Sequence, residues 1–267
     1  MTVPPFVALV PARMASTRFP GKVLADIAGT PMVLHCAQRA QESGASRVVI
    51  ATDHTEVRRV AEAAGWSVVM TAATHETGTD RLAEAVAHLD LTPDTLVVNV
   101  QGDEPLLDPT TIRAVVQRLH DRPDCTLATA AYPITSRAHL EQTNAVKVVL
   151  DHQDMALYFS RAPIPWARDT WAQDTASWPE DLPAWHHVGL YAYRVSFLRR
   201  FAQLSPAPLE RHEALEQLRA LWYGYRIAVV RLMTAPLPGV DTPEDLARVC
   251  TAWATRVAYA GTEPFTR

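Results

Sequence analysis

The chain has 267 residues, 48% of them hydrophobic, and a formal net charge of -4. That length allows one large domain or two small ones, with enough apolar content for an ordinary core. The mild acidity excludes wholesale binding to nucleic acid, and no apolar run reaches the roughly 18 residues needed to span a bilayer, so a nucleic-acid or membrane partner is not expected.

The apolar run Phe6 to Val10 reads as a buried strand. Pro11 stops it, and the following loop carries Arg13, Arg18 and Lys22, with Ser16, Thr17 and Gly21 between them. Three cations and two hydroxyls on a loop leaving the carboxyl end of a strand suit a polyphosphate. The loop is not a Walker A motif, because Val23 follows Gly21-Lys22 where Ser or Thr is needed and Ser16 stands at the first glycine position. No G-x-G-x-x-G follows the strand either.

Pro31 to Ser43 has apolar residues at helical spacing, and Gly44 is placed to end that helix. Arg47 to Thr52 is a second strand, opening into Asp53-His54. Glu56 to Ala64 is a helix closed by Gly65, Ser67 to Thr71 a third strand, Thr79 to Leu89 a helix and Leu96 to Val100 a fourth strand. Strands separated by helices of about a dozen residues imply βαβ units and a mainly parallel, Rossmann-like sheet flanked by helices. Each strand end carries polar chemistry: the basic loop, then Thr52-Asp53-His54, then Thr71 with His75 to Arg81, then Gln101-Gly-Asp103-Glu104-Pro105. Four such ends on one edge mark a site, since ligands of these sheets bind beyond the carboxyl ends of the strands.

From about Cys125 strand-like runs crowd together: Leu127 to Tyr132, Val146 to Leu150, Ala156 to Phe159 and Val188 to Tyr193. This predicts a smaller antiparallel lobe. A loop with no clear periodicity runs from Trp166 to Trp185 through Trp171, Trp178, Pro179 and Pro183. Its tryptophans predict a covered or contacting segment. Leu209 to Tyr223 reads as one strong amphipathic helix closed by Gly224, and Arg226 to Thr234 as a strand. Thr242, Pro243 and Asp245 read as N-cap, first helical residue and capping-box partner of a last helix that runs to about Tyr259, with a frayed tail from Gly261. The expected organisation is one α/β domain over 1–267, with a nucleotide-binding part at 1–125, the antiparallel lobe at 126–195 and returning elements at 196–267.

Two acids stand out. Asp103 follows a buried strand and faces the crevice of the basic loop, and a carboxylate beside a polyphosphate needs an intervening cation, hence Mg²⁺. Asp241 lies outside the cap of the last helix, where Thr242 and Asp245 already serve the backbone. The bland alternatives are a turn acid and a charge on a helix dipole.

The pattern P-A-R-x-x-S-T-R-x-P-G-K, from Pro11 to Lys22, resembles the signature loop of sugar nucleotidyltransferases, most closely that of the cytidylyltransferases that activate acidic sugars. L-V-V-N-V-Q-G-D-E-P, at 96–105, and G-V-D-T-P-E-D-L, at 239–246, resemble two further signatures of that family. The resemblance implies that Pro11, Ala12, Arg13, Arg18 and Lys22 wrap a CTP triphosphate, that Asp103 and Asp241 hold Mg²⁺, and that Arg13 and Lys22 stabilise the leaving group. It implies that Thr71 and the segment His75 to Arg81, through Thr77, Gly78 and Arg81, meet the nucleotide and read cytosine. The same stretch reads locally as a helix start capped by Thr79. Motifs at 144–151, 156–166, 187–194 and 215–224 resemble the branch that activates 3-deoxy-D-manno-octulosonate (Kdo). They imply a sugar pocket of Arg161, His187, Tyr191, Glu216 and Gln217, with Gln101 beside nucleotide and sugar. The alternative for Arg161 is an ion pair with an acid such as Asp151 or Asp169. The Trp166 to Trp185 loop and the tail depart from the family pattern. The expected reaction is CTP plus Kdo giving CMP-Kdo and diphosphate, for lipopolysaccharide biosynthesis. Another acidic sugar, such as a sialic acid, or an inactive binding relative are the rivals, and the presence of Lys22 and both aspartates disfavours the last. Three scattered cysteines, Cys36, Cys125 and Cys250, with no signal peptide, fit a cytoplasmic protein, and a homodimer is expected.

Overall fold

The computed structural model describes residues 3–16, 18–75, 77–174 and 177–260, with only the helix path for 256–260. Thr17, one of the loop hydroxyls, and the tail from Gly261 lie outside the described residues. The chain divides into two compact units. One holds Pro5–Leu89, Asn99–Ile112 and the chain from Pro236 onward. The other holds Asp90–Val98 and Arg113–Ala235, with the N-terminal residues up to Pro4. Asp103 and Asp241, far apart in sequence, thus share the first unit.

In the first unit β1 (Phe6–Ala12) has an almost wholly buried run of side chains, as a parallel strand covered on both faces requires. A small antiparallel pair, β2 (Asp26–Ile27) and β3 (Thr30–Pro31), precedes α1 (Met32–Glu42). β4 (Arg47–Thr52) pairs in parallel with β1, and β5 (Ser67–Met70) in parallel with β4. α2 (Thr55–Ala63) and α3 (Gly78–Ala87) complete the βαβ pattern expected. The stop signals Gly44 and Gly65 fall just past α1 and α2. The cap of α3 differs from the expectation. Thr77, not Thr79, accepts the amide of Asp80 at 3.1 Å, while Thr79 is buried. An N-cap must have extended backbone with its oxygen turned back to the third helical amide, and Thr77 meets that condition.

The second unit carries most of β6 (Leu96–Asn99) and α4 (Pro109–His120), then β7 (Leu127–Pro133), α5 (Arg137–Leu140), β8 (Lys147–Leu150), β9 (Ala156–Ser160), α6 (Arg168–Gln173) and β10 (Trp185–Arg194). β10 runs antiparallel to β7 and β8, and β8 antiparallel to β9, which is the antiparallel lobe expected. The Trp-rich loop is covered in part by a small core of its own, while Trp166 stays 57% exposed. Trp171 is buried with Ile134, Leu140 and Ala184, and its indole N–H donates to the Ser177 carbonyl at 2.8 Å. The Arg137 guanidinium lies 4.9 Å from the centre of the Trp171 ring.

After α7 (Val195–Phe201) the segment expected as one helix over 209–223 is broken. It forms α8 (Pro208–Glu213) and α9 (Gln217–Trp222), with Ala214 at φ 50° between them. The break is held by tertiary contacts. Glu210 and Arg219 form a buried two-pronged pair at 2.8 and 2.5 Å, and Glu210 also accepts the Ala207 amide. The Glu213 carboxylate accepts from Ser160 Oγ and the Arg161 amide at 2.5 and 2.9 Å. β11 (Ile227–Arg231) then pairs in parallel with β7. The last helix, α10 (Pro243–Ala260), belongs to the first unit. Among the described residues no helix is long and apolar enough to cross a membrane.

Candidate active site

The first unit builds a cavity of about 560 Å³ at the carboxyl ends of its strands. Gly21, at φ 71°, turns the basic loop back on itself, and its amide donates to the Met14 carbonyl at 3.1 Å. Lys22 therefore enters a single 3₁₀ turn with its side chain largely enclosed. Its ammonium donates to Asp103 Oδ2 at 2.6 Å, to Asp241 Oδ1 at 3.0 Å and to the Val240 carbonyl at 3.0 Å. Burial pulls the Lys22 pKa down, but the charges and hydrogen bonds of Asp103 and Asp241 outweigh it and hold it above the ordinary lysine value.

Close backbone approach brings the two aspartates together. Val100 donates to the Leu9 carbonyl at 2.9 Å, and a Cβ on Gly102 would lie 2.6 Å from the Pro11 carbonyl oxygen. Val240 donates to the Asp103 carbonyl at 2.8 Å, and a Cβ on Gly239 would lie 2.9 Å from that same oxygen. Both glycines are there because nothing larger fits. The capping box forms as expected: Asp245 Oδ2 accepts the amides of Asp241 and Thr242 at 3.0 and 2.9 Å, and Thr242 Oγ1 accepts the Asp245 amide at 3.2 Å. The Asp241 carboxylate is thereby left to Lys22 and to Arg18, whose Nη2 lies 3.0 Å away. Next to this cluster, burial and the charges of Asp103 and Asp241 push the Glu104 carboxyl up to about 7.

Of the residues expected to meet the nucleotide, Pro11, Arg13, Arg18, Lys22, Thr77, Gly78, Arg81, Gln101 and Asp103 line this cavity, as does Asp241. Ala12 and Thr71 are not among the lining residues. Ala12 is fully buried in β1, and Thr71 takes part through Arg81, accepting from its Nη1 at 2.5 Å. The other prong of Arg81 reaches Asp53 Oδ2 at 2.7 Å, so this buried arginine is fixed by the ends of β4 and β5. Sequence reasoning did not single out Asp53, although it closes a strand whose polar end was noted. His75, which opens the segment expected to read the base but had no role of its own there, lines the cavity and bonds Glu84 through Nε2. Burial raises the Glu84 carboxyl, yet the Ala72 amide and His75 together keep it below its ordinary value.

The residues expected to bind the sugar, Gln101 apart, all fall in the second unit. Arg161 pairs with neither Asp151 nor Asp169. Its Nε, Nη1 and Nη2 donate to the carbonyls of Glu213, Thr143 and Ala214 at 2.7, 3.0 and 3.3 Å. His187 is buried, with Nε2 at 3.0 Å from Thr129 Oγ1. That hydroxyl has Val188 and Leu190 carbonyls at 3.0 and 2.8 Å to donate to, so it accepts from His187 and leaves Nδ1 unprotonated. Burial, aided by His186, lowers the His187 pKa to about 3, so the ring is neutral at ordinary pH. Its centre lies 5.3 Å from that of Tyr191, whose buried Oη has no hydrogen-bond partner among the described residues. Glu216 and Gln217 cap and begin α9.

The family model for cytidylyltransferases matches residues 7–227. The chain belongs to the cytidylyltransferase family and is a nucleotidyltransferase. It is similar, at 38% identity and a TM-score of 0.85, to a CMP:2-keto-3-deoxy-manno-octonic acid synthetase solved in complex with CTP, with 95% of this chain and 100% of that one covered. A cytidylyltransferase from Leptospira borgpetersenii serovar Hardjo-bovis shares the fold, with a TM-score of 0.57 at 15% identity over 98% of this chain and 100% of that one.

Proposed function

We propose that the protein joins CTP to Kdo, releasing diphosphate and forming the CMP-Kdo used in lipopolysaccharide synthesis. The observation that carries this reading is the meeting of Lys22, Asp103 and Asp241 at a cavity lined by Arg13, Arg18 and Arg81. Cations in that number suit a triphosphate, and two acids among them suit a metal. The likeness to the CTP-bound synthetase supports Kdo as the sugar.

Asp103 and Asp241 fit Mg²⁺, because their oxygens converge on one point: both reach the same Lys22 nitrogen. Among the described residues no group of three or more His, Cys, Asp and Glu could hold a metal, which suits an ion that shares its shell with substrate phosphates and water. When bound, Mg²⁺ supplies positive charge against the phosphoryl oxygens of the transition state. Phosphoryl transfer needs positioning and charge stabilisation more than covalent chemistry. Arg13 and Lys22 take up charge on the leaving diphosphate, and Arg18 holds the phosphate chain. Gly78 at the start of α3 and Arg81, fixed from behind by Asp53 and Thr71, read the cytosine edge, with Gln101 beside them. In the second unit the neutral His187 Nδ1, the Tyr191 hydroxyl, Glu216 and Gln217 orient the sugar, and Arg161 fixes the turn that carries the last two. The reading includes a cytoplasmic location and a homodimer, the second of which sedimentation of the pure protein would check.

Diphosphate release decides the proposal, measured with CTP or UTP and with Kdo, a sialic acid or no sugar. Release with CTP and Kdo, well ahead of UTP, is expected, since a site of hydrogen bonds rejects the swapped donor and acceptor of uracil. Release only with another acid sugar would move the substrate, and none with any pair would sink the transferase reading.

A further inference from the structure

We propose that Lys22 is a built-in counter-ion of the Asp103–Asp241 pair, competing with the divalent cation for the same oxygens until nucleotide draws it away. The inference rests on the reading of these aspartates as the metal site and concerns the order in which that site fills.

The Lys22 side chain is 12% exposed, against 32% and 50% for its two acid partners. The ammonium is held at three points: Asp103 Oδ2, Asp241 Oδ1 and the Val240 carbonyl, at 2.6, 3.0 and 3.0 Å. Three acceptors match the three N–H groups of an ammonium, so Lys22 is fully satisfied by this arrangement. Arg18 adds a second cation 3.0 Å from the same Asp241 oxygen. Two cations thus face two carboxylates, and the cluster is neutralised from within.

A divalent cation on those oxygens meets the Lys22 charge at close range and in a partly enclosed place, where repulsion is weakly screened. It binds well only when Lys22 and Arg18 have other anions to pair with. Both side chains line the cavity read as the triphosphate site, so an entering nucleotide offers those anions. Nucleotide and metal then favour one another beyond the direct phosphate–metal bonds, and the coupling is reciprocal. Ordinary ligation of the metal by phosphate does not distinguish one lysine; the counter-ion role does, because removing the ammonium should help a metal that comes alone.

The test is binding of Mn²⁺, a hard oxygen-seeking stand-in, followed by electron paramagnetic resonance with and without CTP. Wild type, Lys22→Met, Arg18→Gln, Asp103→Asn and the double variant Lys22→Met/Asp103→Asn are compared. Without CTP, Lys22→Met should bind Mn²⁺ roughly 5- to 150-fold more tightly than wild type, the ordinary range of such couplings. Arg18→Gln should gain less, and the double variant should lose the gain. The increase in Mn²⁺ affinity on adding CTP should be smaller in Lys22→Met than in wild type. Should Lys22→Met melt too low to measure, Lys22→Gln is judged by the same criteria. Equal or weaker Mn²⁺ binding without CTP in the lysine variant would overturn the proposal, while loss of Mn²⁺ from the CTP complex of Asp103→Asn would still uphold the metal reading. If Asp103→Asn keeps Mn²⁺ undiminished with CTP present, the metal reading itself fails.

Discussion

The two groups of candidate site residues use their charges differently. In the first unit Lys22 and Arg18 bond side-chain carboxylates at the cavity, all of them groups that a metal ion and phosphates can re-pair. In the second unit Arg161 is bound to three backbone carbonyls, and Glu210 and Arg219 pair with each other in a buried place. Beside them stand two neutral groups of the proposed sugar pocket, the His187 Nδ1 and the Tyr191 hydroxyl. Charge that meets exchangeable charge can serve binding and chemistry, whereas charge that holds backbone mainly sets geometry.

The largest effect expected is in the first group. Asp103→Asn and Asp241→Asn should each cost several kcal/mol in the transition state, the usual scale for a metal's charge stabilisation, and nearly abolish turnover. Single-turnover kinetics at saturating Mg²⁺ measures this, and activity within a few-fold of wild type would remove that aspartate from the site.

Next comes geometry without any change of charge. In Gly102→Ala the new Cβ meets a backbone oxygen at 2.6 Å, which cannot swing aside as a side chain can. The loops of Pro11 and Asp103 must part, and a displacement of about 1 Å at a reacting centre costs about 10²-fold in rate. The protein should still fold, with overpacking costing about 1–3 kcal/mol. Unchanged kcat in a stable Gly102→Ala would show that the approach of these loops is not needed for chemistry.

Much of the first unit was legible because buried parallel strands and their polar ends leave strong local marks. Phe6 to Ala12 and Arg47 to Thr52 sit within a residue or two of their expected bounds, and the motif loops line one cavity. Less was legible where distant contacts override local preference. E-R-H-E-A-L-E-Q-L-R-A-L reads as one helix, since alanine and leucine favour helix. Yet Glu213 is fixed by Ser160 and Arg161, and Ala214 adopts a left-handed conformation to suit them. α4 went unread despite a local signal: Asp108 accepts the Thr110 amide at 2.8 Å, just before Pro109 at the first helical position. That the conspicuous Arg161 would bond carbonyls rather than a carboxylate had no mark in the sequence at all.

Arg161 gives the sharpest test of the contrast. With three donors on carbonyls, Arg161→Ala should lower stability by roughly 2–4 kcal/mol, using about 1 kcal/mol for each hydrogen bond. Arg161→Lys should recover only part, since a point charge cannot serve three divergent acceptors. CTP affinity should stay near wild type. Thermal melting, CTP titration and sugar kinetics on both variants decide it. An unchanged melting temperature with sugar kcat/KM lost would return Arg161 to the sugar pocket that the family resemblance implies.

The neutral imidazoles of the second unit give a smaller, pH-dependent effect. Burial lowers His186 to about 4 and His187 to about 3, from an ordinary value of 6.5. Between these limits the unfolded chain binds protons that the folded one refuses, so stability is fully present above about 6.5 and is lost as pH falls toward 4 and then 3. Melting temperature followed down this range should fall, and His187→Gln should flatten the fall. An equally steep decline in that variant would mean that His187 is protonated in the folded protein as readily as in the unfolded one.

The smallest effect is expected at Tyr191, and it separates a ligand contact from a structural one. The Tyr191 hydroxyl is buried with no hydrogen-bond partner among the described residues, and burial, with Tyr193 and Glu216 nearby, pushes its pKa well above the ordinary tyrosine value. A buried donor left unpaired costs about 1–3 kcal/mol, so a structural role would be a poor reason to keep it. Tyr191→Phe removes one oxygen and preserves the ring that packs on His187 and Tyr193. If the hydroxyl is there to bond the sugar, the variant should melt at the same temperature as wild type or higher. Its KM for Kdo should rise by about tenfold, the equivalent of one ordinary hydrogen bond of about 1.4 kcal/mol. Affinity for CTP should not move. His187→Gln should raise the same KM, because Nδ1 is the neighbouring acceptor. A Tyr191→Phe protein that loses stability while its sugar KM stays constant would mean that the hydroxyl bonds within the fold, and sugar recognition in the second unit would rest on His187, Glu216 and Gln217.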